Sequence, residues 1–168
     1  MPSTRITKRV QARPDEVFDM VADVQNYPVF INLISEMRIT KEISENEFEA
    51  EAIVAYKMLR ERFRSRVVAD KEAGTISVRK ADIGGALKSL ENKWKFHELS
   101  DGSTAVDFYV DVTLKPFPLN MLIKEKMDRA SEVLMDAFIR RAAQVCEIVG
   151  EPDPSAALVA ELNSIASV

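Results

Sequence analysis

Cysteine and histidine are almost missing from this chain of 168 residues, which holds one of each, Cys146 and His97. A disulfide framework and a cysteine-based zinc site are excluded. A histidine-centred metal site or nucleophilic triad would lack its partners. Glycine is scarce at five residues, and Gly84-Gly85 has neither the spacing nor the Lys-Ser/Thr pair of a phosphate-binding loop. Long apolar runs are lacking too. The longest stretch without a charge, Val24 to Ser35, has 12 residues and includes Asn26, Pro28 and Asn32, whereas a membrane-spanning helix wants about 20 predominantly apolar ones. The opening MPSTRITKRV has no apolar segment of a secretory signal. Positive charge is in the minority, with 23 Lys and Arg against 27 Asp and Glu and a net charge of −4. That balance argues against a nucleic-acid binder relying on a global positive field. A cytoplasmic protein needing no metal and no cofactor is expected.

What is present suits one globular domain: 46% apolar and 30% charged residues. Thr4 to Gln11 places Ile6 and Val10 on a period of two and predicts a strand. Pro14, Asp15 and Glu16 then suit a helix start, with Val17, Phe18, Val21 and Ala22 at helical spacing. A second short helix is expected around Tyr27 to Leu33. From Ser35 to Leu114 the period is two. Met37 and Ile39 share a face, as do Phe48, Ala50, Ala52, Val54 and Tyr56, then Phe63, Ser65, Val67 and Ala69. Ile76 and Val78 follow. Leu90, Trp94 and Phe96 alternate with charged residues, with Asn92 on the apolar side. Val106, Phe108, Val110, Val112 and Leu114 alternate most regularly. Ile83 to Ala86 reads as a flexible apolar loop. Leu119, Leu122, Ile123, Lys126, Met127, Ala130, Val133, Leu134, Ala137, Phe138, Ala142 and Val145 follow helical spacing and predict one helix of nearly thirty residues, ending at Gly150. Residues 1–150 are expected to form the domain. Residues 151–168 read as a tail, with Ser155 capping a short helix through Leu162.

Strands joined by tight turns make an antiparallel sheet with one apolar face, which must be covered. About seven strands at roughly 4.8 Å span near 30 Å, while a helix with its side chains is about 10–12 Å across. One helix cannot cover a flat sheet of that width, so the sheet must curl around it. Inward positions such as Ala50, Ala52, Ser65 and Ala69 are small. Two interiors remain open: an apolar pocket for a greasy guest, or a solid core in which Phe48, Phe63, Trp94, Phe108 and Phe138 compensate.

Two segments carry a resemblance. Val21 to Phe30 (VADVQNYPVF) is similar to the V-x-D-V-x-x-Y-P-x-F helices of the coenzyme Q-binding START-like family. Asp82 to Phe96 resembles the same family's D-G-P-F-x-x-L-x-N-x-W-x-F loop and strand, although its Gly-Pro-Phe is replaced here by Ile83-Gly84-Gly85-Ala86-Leu87. Order and spacing agree, and the resemblance covers about residues 3–148. It implies an α+β helix-grip (START/Bet v-like) fold: a curved antiparallel sheet of about seven strands around a long C-terminal helix, with two short helices after the first strand. It also implies a carrier or chaperone for ubiquinone or a similar isoprenoid lipid in support of respiratory electron transport. The family includes a branch named for toxin action on ribosome assembly, and the wider superfamily includes polyketide cyclases.

The candidate cavity wall comprises Phe30, Val54, Tyr56, Phe63, Leu87, Leu90, Trp94, Phe108, Met127, Leu134 and Phe138. No catalytic residue is expected, because the assignable inward positions are nearly all apolar and only Tyr56 and Ser65 offer polar groups to a cyclase-like reaction. His97 falls on the polar side of its strand and Cys146 reads as packing. Arg60, Arg62, Arg64 and Arg66 form the one basic stripe, and cross-strand pairing with Glu47, Glu49 and Glu51 accounts for both charge sets. Asp107 and Asp111 lie on a polar face. The Ile83–Leu87 loop and Phe117-Pro118-Leu119 are candidates for the pocket mouth, able to dock transiently on a membrane. Partners are then the lipid, a membrane surface and respiratory or quinone-biosynthesis proteins rather than nucleic acid, with the chain cytoplasmic or peripheral on the inner face of the membrane.

Overall fold

A computed structural model describes residues 2–56, 59–115 and 117–167, apart from the side chains of residues 56, 59, 117–120 and 122. Seven strands lie among the described residues: β1 Ser3–Val10, β2 Ile34–Glu42, β3 Glu47–Tyr56, β4 Leu59–Asp70, β5 Thr75–Lys80, β6 Leu87–Glu98 and β7 Thr104–Leu114. They form one antiparallel sheet in the order β1-β7-β6-β5-β4-β3-β2. Hairpins therefore build the sheet from β2 to β7, and β1 closes the far edge. The helices are α1 Pro14–Ala22, α2 Tyr27–Phe30 after a 3-10 turn at Val24–Asn26, α3 Phe117–Val145 and α4 Ala156–Ala166. This is the α+β helix-grip arrangement expected from the sequence.

Helix α1 starts at Pro14, where a missing N–H costs nothing, and Asp15 and Glu16 complement its positive end. It buries Val17, Phe18 and Val21, and Phe18 meets Phe96 edge-on at 5.7 Å. Helix α3 lies across the concave face, nearest β1 and β7. Its buried stripe runs through Met127, Ser131, Met135, Phe138 and Ala142. The stripe differs from the expected one. Val133 and Val145 are 52% and 50% exposed, Lys126 and Ala130 are exposed as well, and the unpredicted Ser131 and Met135 face inward. The helix also stops at Val145, ahead of Gly150.

The chain after α3 is fastened rather than loose. Arg9 pairs with Asp101 at 2.6 Å and donates to the Glu151 carbonyl at 2.7 Å, and the Glu151 N–H donates to Asp101 at 2.9 Å. Gly150 (φ +86°) sits so close that an added Cβ would lie 2.5 Å from the Asp101 carboxylate. Ser155 caps α4 by accepting from the Leu158 N–H. The helix continues to Ala166, one turn past the expected Leu162, and buries Leu158 with Leu99 and Ala105 on the outer side of the sheet. Among the described residues no helix is long and apolar enough to cross a membrane.

Candidate functional site

The concave face divides into two halves. At the inner half large side chains fill the space under α3. Trp94 lies 4.4 Å from Phe108 and 5.0 Å from Phe138 between ring centres, and Phe138 also meets Tyr27 at 5.3 Å and Phe30 at 5.2 Å. Edge-on and tilted contacts of this kind suit the ring quadrupoles. Arg141 stands 5.4 Å over the Phe30 ring. Tyr27, half-buried, donates to the Val21 carbonyl, and desolvation raises its phenol far above the ordinary value, an effect to which Asp23 adds. Met127 belongs to the same cluster, with Leu134 packed against it.

The outer half is built differently. Ala52, Phe63, Leu87 and Leu114 form a second cluster, with Val54, Leu90, Val112 and Ile123 against it. Burial changes along single strands here. On β5, Ile76 is 2% exposed while the next inward residue, Val78, is only half-buried. On β6, Trp94 and Phe96 are buried while Leu90 and Asn92 are half-buried, and on β7 Phe108 and Val110 are buried while Val112 is half-buried. These positions lie on the concave face of the sheet, and their partial exposure shows that α3, which packs nearest β1 and β7, does not cover them completely.

All described members of the expected wall therefore face the interior, but in two groups. Phe30, Trp94, Phe108, Met127, Leu134 and Phe138 sit with the inner cluster. Val54, Phe63 and Leu87 sit with the outer one, and Leu90 touches both. The side chain of Tyr56 and the Phe117-Pro118-Leu119 segment lie outside the described side chains.

Polar groups also face inward, more than the sequence suggested. Asn92 accepts from the Trp94 indole N–H at 3.1 Å, and Ser65 donates to the Ala50 carbonyl at 3.5 Å. Lys80, opposite Ser65 in the sheet, has a side chain only 3% exposed. Its ammonium meets the Asp82 carboxylate at 2.9 Å and donates to the carbonyls of Asp82 at 2.8 Å and Gly84 at 3.3 Å. Burial raises the Asp82 pKa, but Lys80 and the Arg64 N–H outweigh it and hold the carboxyl below its ordinary value. The alternation Ile76, Val78, Lys80 was the available sequence signal for this lysine. The following loop is hydrogen-bonded at its far end. Glu61 accepts from the Ala86 N–H at 3.1 Å, and the Lys115 N–H donates to the Ala86 carbonyl at 2.7 Å.

Two depressions lie outside the concavity. One of about 320 Å³ is bounded by Glu16, Asp19, Phe30, Arg141 and Cys146, and one of about 300 Å³ follows the β2 edge beside Met37 and Ile53. Burial raises the Cys146 thiol, as do nearby carboxylates, which disfavours the reactive thiolate. His97 is lowered by burial and by Lys95. Among the described residues no group of three or more His, Cys, Asp and Glu could hold a metal ion. Two members of the basic stripe, Arg62 and Arg66, are paired across strands. Arg66 meets Glu49 at 3.0 Å and Glu47 at 3.7 Å, and Glu51 holds both Arg62 at 3.1 Å and Arg38 at 3.2 Å. Asp107 is engaged by Arg5 at 2.7 Å.

A curled sheet closed by one long helix, with an aromatic inner end and a mainly aliphatic outer end, defines a helix-grip protein of the START-like class. The model of the family described as polyketide cyclase / dehydrase and lipid transport matches residues 10–139, and the chain belongs to that family. It is 31% identical over 148 residues to a ribosome association toxin, RatA, of Rickettsia prowazekii, covering 86% of this chain and 99% of the toxin. It is 24% identical over 140 residues to the mitochondrial coenzyme Q-binding protein coq10 of Schizosaccharomyces pombe, covering 82% and 85%. The Zhui aromatase/cyclase of a Streptomyces shares the fold at a TM-score of 0.75 and 16% identity, over 84% of this chain and 93% of that one.

Proposed function

We propose that this protein is a non-catalytic carrier of ubiquinone or a similar isoprenoid lipid, which it shields beneath α3 and hands to respiratory or quinone-biosynthesis proteins. The observation that carries this reading is the half-buried set Val78, Leu90, Asn92 and Val112 at the centre of the sheet. An apolar space at that position is unfavourable when empty and favours an apolar guest. The aromatic cluster closes the inner end. The guest then lies in the outer half, against Val54, Phe63, Leu87, Leu90 and Ile123. With its Oδ1 taken by the indole, Asn92 offers Nδ2 to a quinone carbonyl. The relative named as a coenzyme Q-binding protein supports the same ligand class.

The engaged state of the inward polar groups supports a binder over a cyclase. Lys80 is tied to its loop, Ser65 to a backbone carbonyl and Asn92 to Trp94. A general acid or base must instead be free to reach substrate.

The second reading is a ribosome-associated module, favoured by the RatA relative. Against it stands the pairing of Arg62 and Arg66 with Glu47, Glu49 and Glu51, which leaves less unpaired charge for an RNA backbone. Titration of Trp94 fluorescence with a short-chain ubiquinone separates the readings. Saturable quenching near one equivalent supports the carrier. Absence of quenching, with salt-sensitive co-sedimentation with ribosomal particles, supports the alternative.

A further inference from the structure

The loop between β5 and β6 turns its polar groups inward and its one large side chain outward. The Lys80 ammonium binds the carbonyls of Asp82 and Gly84, the Asp82 carboxylate accepts the Arg64 N–H at 3.0 Å, and Glu61 accepts the Ala86 N–H. Gly85, at φ +80°, allows the approach to Glu61, since an added Cβ would lie 2.5 Å from that carboxylate. Ile83 stands at the tip, 103% exposed. The buried Lys80 ammonium anchors a loop whose aliphatic tip stands in solvent. Among the described residues none covers the Ile83 side chain.

The surroundings identify a suitable environment. Lys115 adjoins the loop through its bond to Ala86, and α3 begins two residues later, so its first turns belong to the same end of the molecule. Met121 in those turns is 54% exposed. Lys88 and Lys115, which adjoin the loop, are exposed, as is Lys124 on the first turns of α3 with Glu125 beside it. The two carboxylates that touch the loop, Glu61 and Asp82, are engaged in holding it. A cationic rim around apolar tips, on a chain with a net charge of −4, complements an anionic bilayer surface: the aliphatic side chain enters the acyl boundary while the basic groups remain among the headgroups.

We propose that Ile83, with Met121 and the surrounding basic residues, docks this end of the protein on a bilayer containing anionic phospholipid, placing the outer half of the concavity at the membrane. The proposal rests on the carrier reading for its purpose but has its own test. Flotation of the full chain is measured with phosphatidylcholine vesicles and with vesicles also containing phosphatidylglycerol. The wild type is expected to float with the anionic vesicles and to be released by salt. Ile83→Asp is expected to weaken binding about tenfold, the scale for withdrawing one buried aliphatic side chain. Lys88→Glu with Lys115→Glu is expected to reduce both binding and its salt dependence. Folding of each variant is checked by circular dichroism, and quinone capture by Trp94 quenching without vesicles. Flotation of Ile83→Asp equal to wild type, or no flotation of the wild type, overturns the docking surface. If quinone is still captured, the carrier reading survives that failure. Flotation dependent on Ile83 without any quinone capture retains the docking surface and removes the carrier.

Discussion

Replacing Val78 by Phe distinguishes a hollow from a solid interior by the sign of its effect. Val78 faces α3 from β5, beside Val67 of β4 and Asn92 of β6. Val67 is 1% exposed and Ile76 2%, whereas Val78 is half-buried. If the exposed part of Val78 borders real space, a phenyl ring can extend into it, covering on the order of 50 Å² more apolar surface and adding about 1 kcal/mol at 25 cal/mol per Å². Phenylalanine is also well suited to a strand. In a filled interior the same substitution overpacks the core and costs about 1–3 kcal/mol. Urea unfolding of wild type and V78F measures the difference, and V67F provides the internal standard because its site is filled under either account. The expected result is V78F at or above wild-type stability, V67F lower by about 1–3 kcal/mol, and quinone capture lost in V78F. A V78F loss matching that of V67F would refute the reasoning.

Three further outcomes follow from the packing and the charges. Phe138→Ala removes a ring 2% exposed that meets Tyr27, Phe30 and Trp94, so it should cost about 3–5 kcal/mol and shift Trp94 emission to the red. Asp82→Ala leaves the buried Lys80 ammonium without its counter-charge and should cost about 3 kcal/mol, while Lys80→Met strands the buried Asp82 Oδ1 and should also destabilise, by less because the Asp82 side chain is 26% exposed and keeps the Arg64 N–H; chemical denaturation of both variants compares them. Burial acts to raise Asp101, but Ser103, the Glu151 N–H and Arg9 hold its carboxyl well below the usual range. Its stabilisation is therefore complete above about pH 4 and is lost as acid titrates it through the depressed folded value. The stability gap between wild type and Asp101→Asn should be widest near neutrality and close in acid, and a gap that widens in acid contradicts this.

Most of the sheet was legible because each strand keeps one face apolar. Val106 to Leu114 alternates without fault, and the Glu-rich and Arg-rich strands declare their outward faces by charge. The long helix was legible in extent but not in facing. Ala, Val and Leu recur on too much of its circumference, so the letters could not show that Met135 is inside and Val133 outside. Contact with β1 decides that, and such contact is non-local. The same reason hid the clamp on the loop between β5 and β6. Lys80 continues the inward alternation of β5, but its charge points to an outward position until its loop is seen folded back upon it. Glu61, which fixes Ala86, lies 25 residues upstream. Glycines in that loop suggest freedom, whereas the bonds from Lys80 and Glu61 that tie it down come from outside it. Ser155 predicted the cap of α4, whereas its seat on the outer side of the sheet depends on Arg9, Asp101 and Glu151 meeting across the chain.

The most direct measurement is organic extraction of the protein purified from its native, membrane-containing lysate, with mass spectrometry of the extract. One isoprenoid quinone per chain in the wild type, and none in V78F, is the predicted result. An extract free of isoprenoid lipid from a fully folded wild-type chain would contradict it.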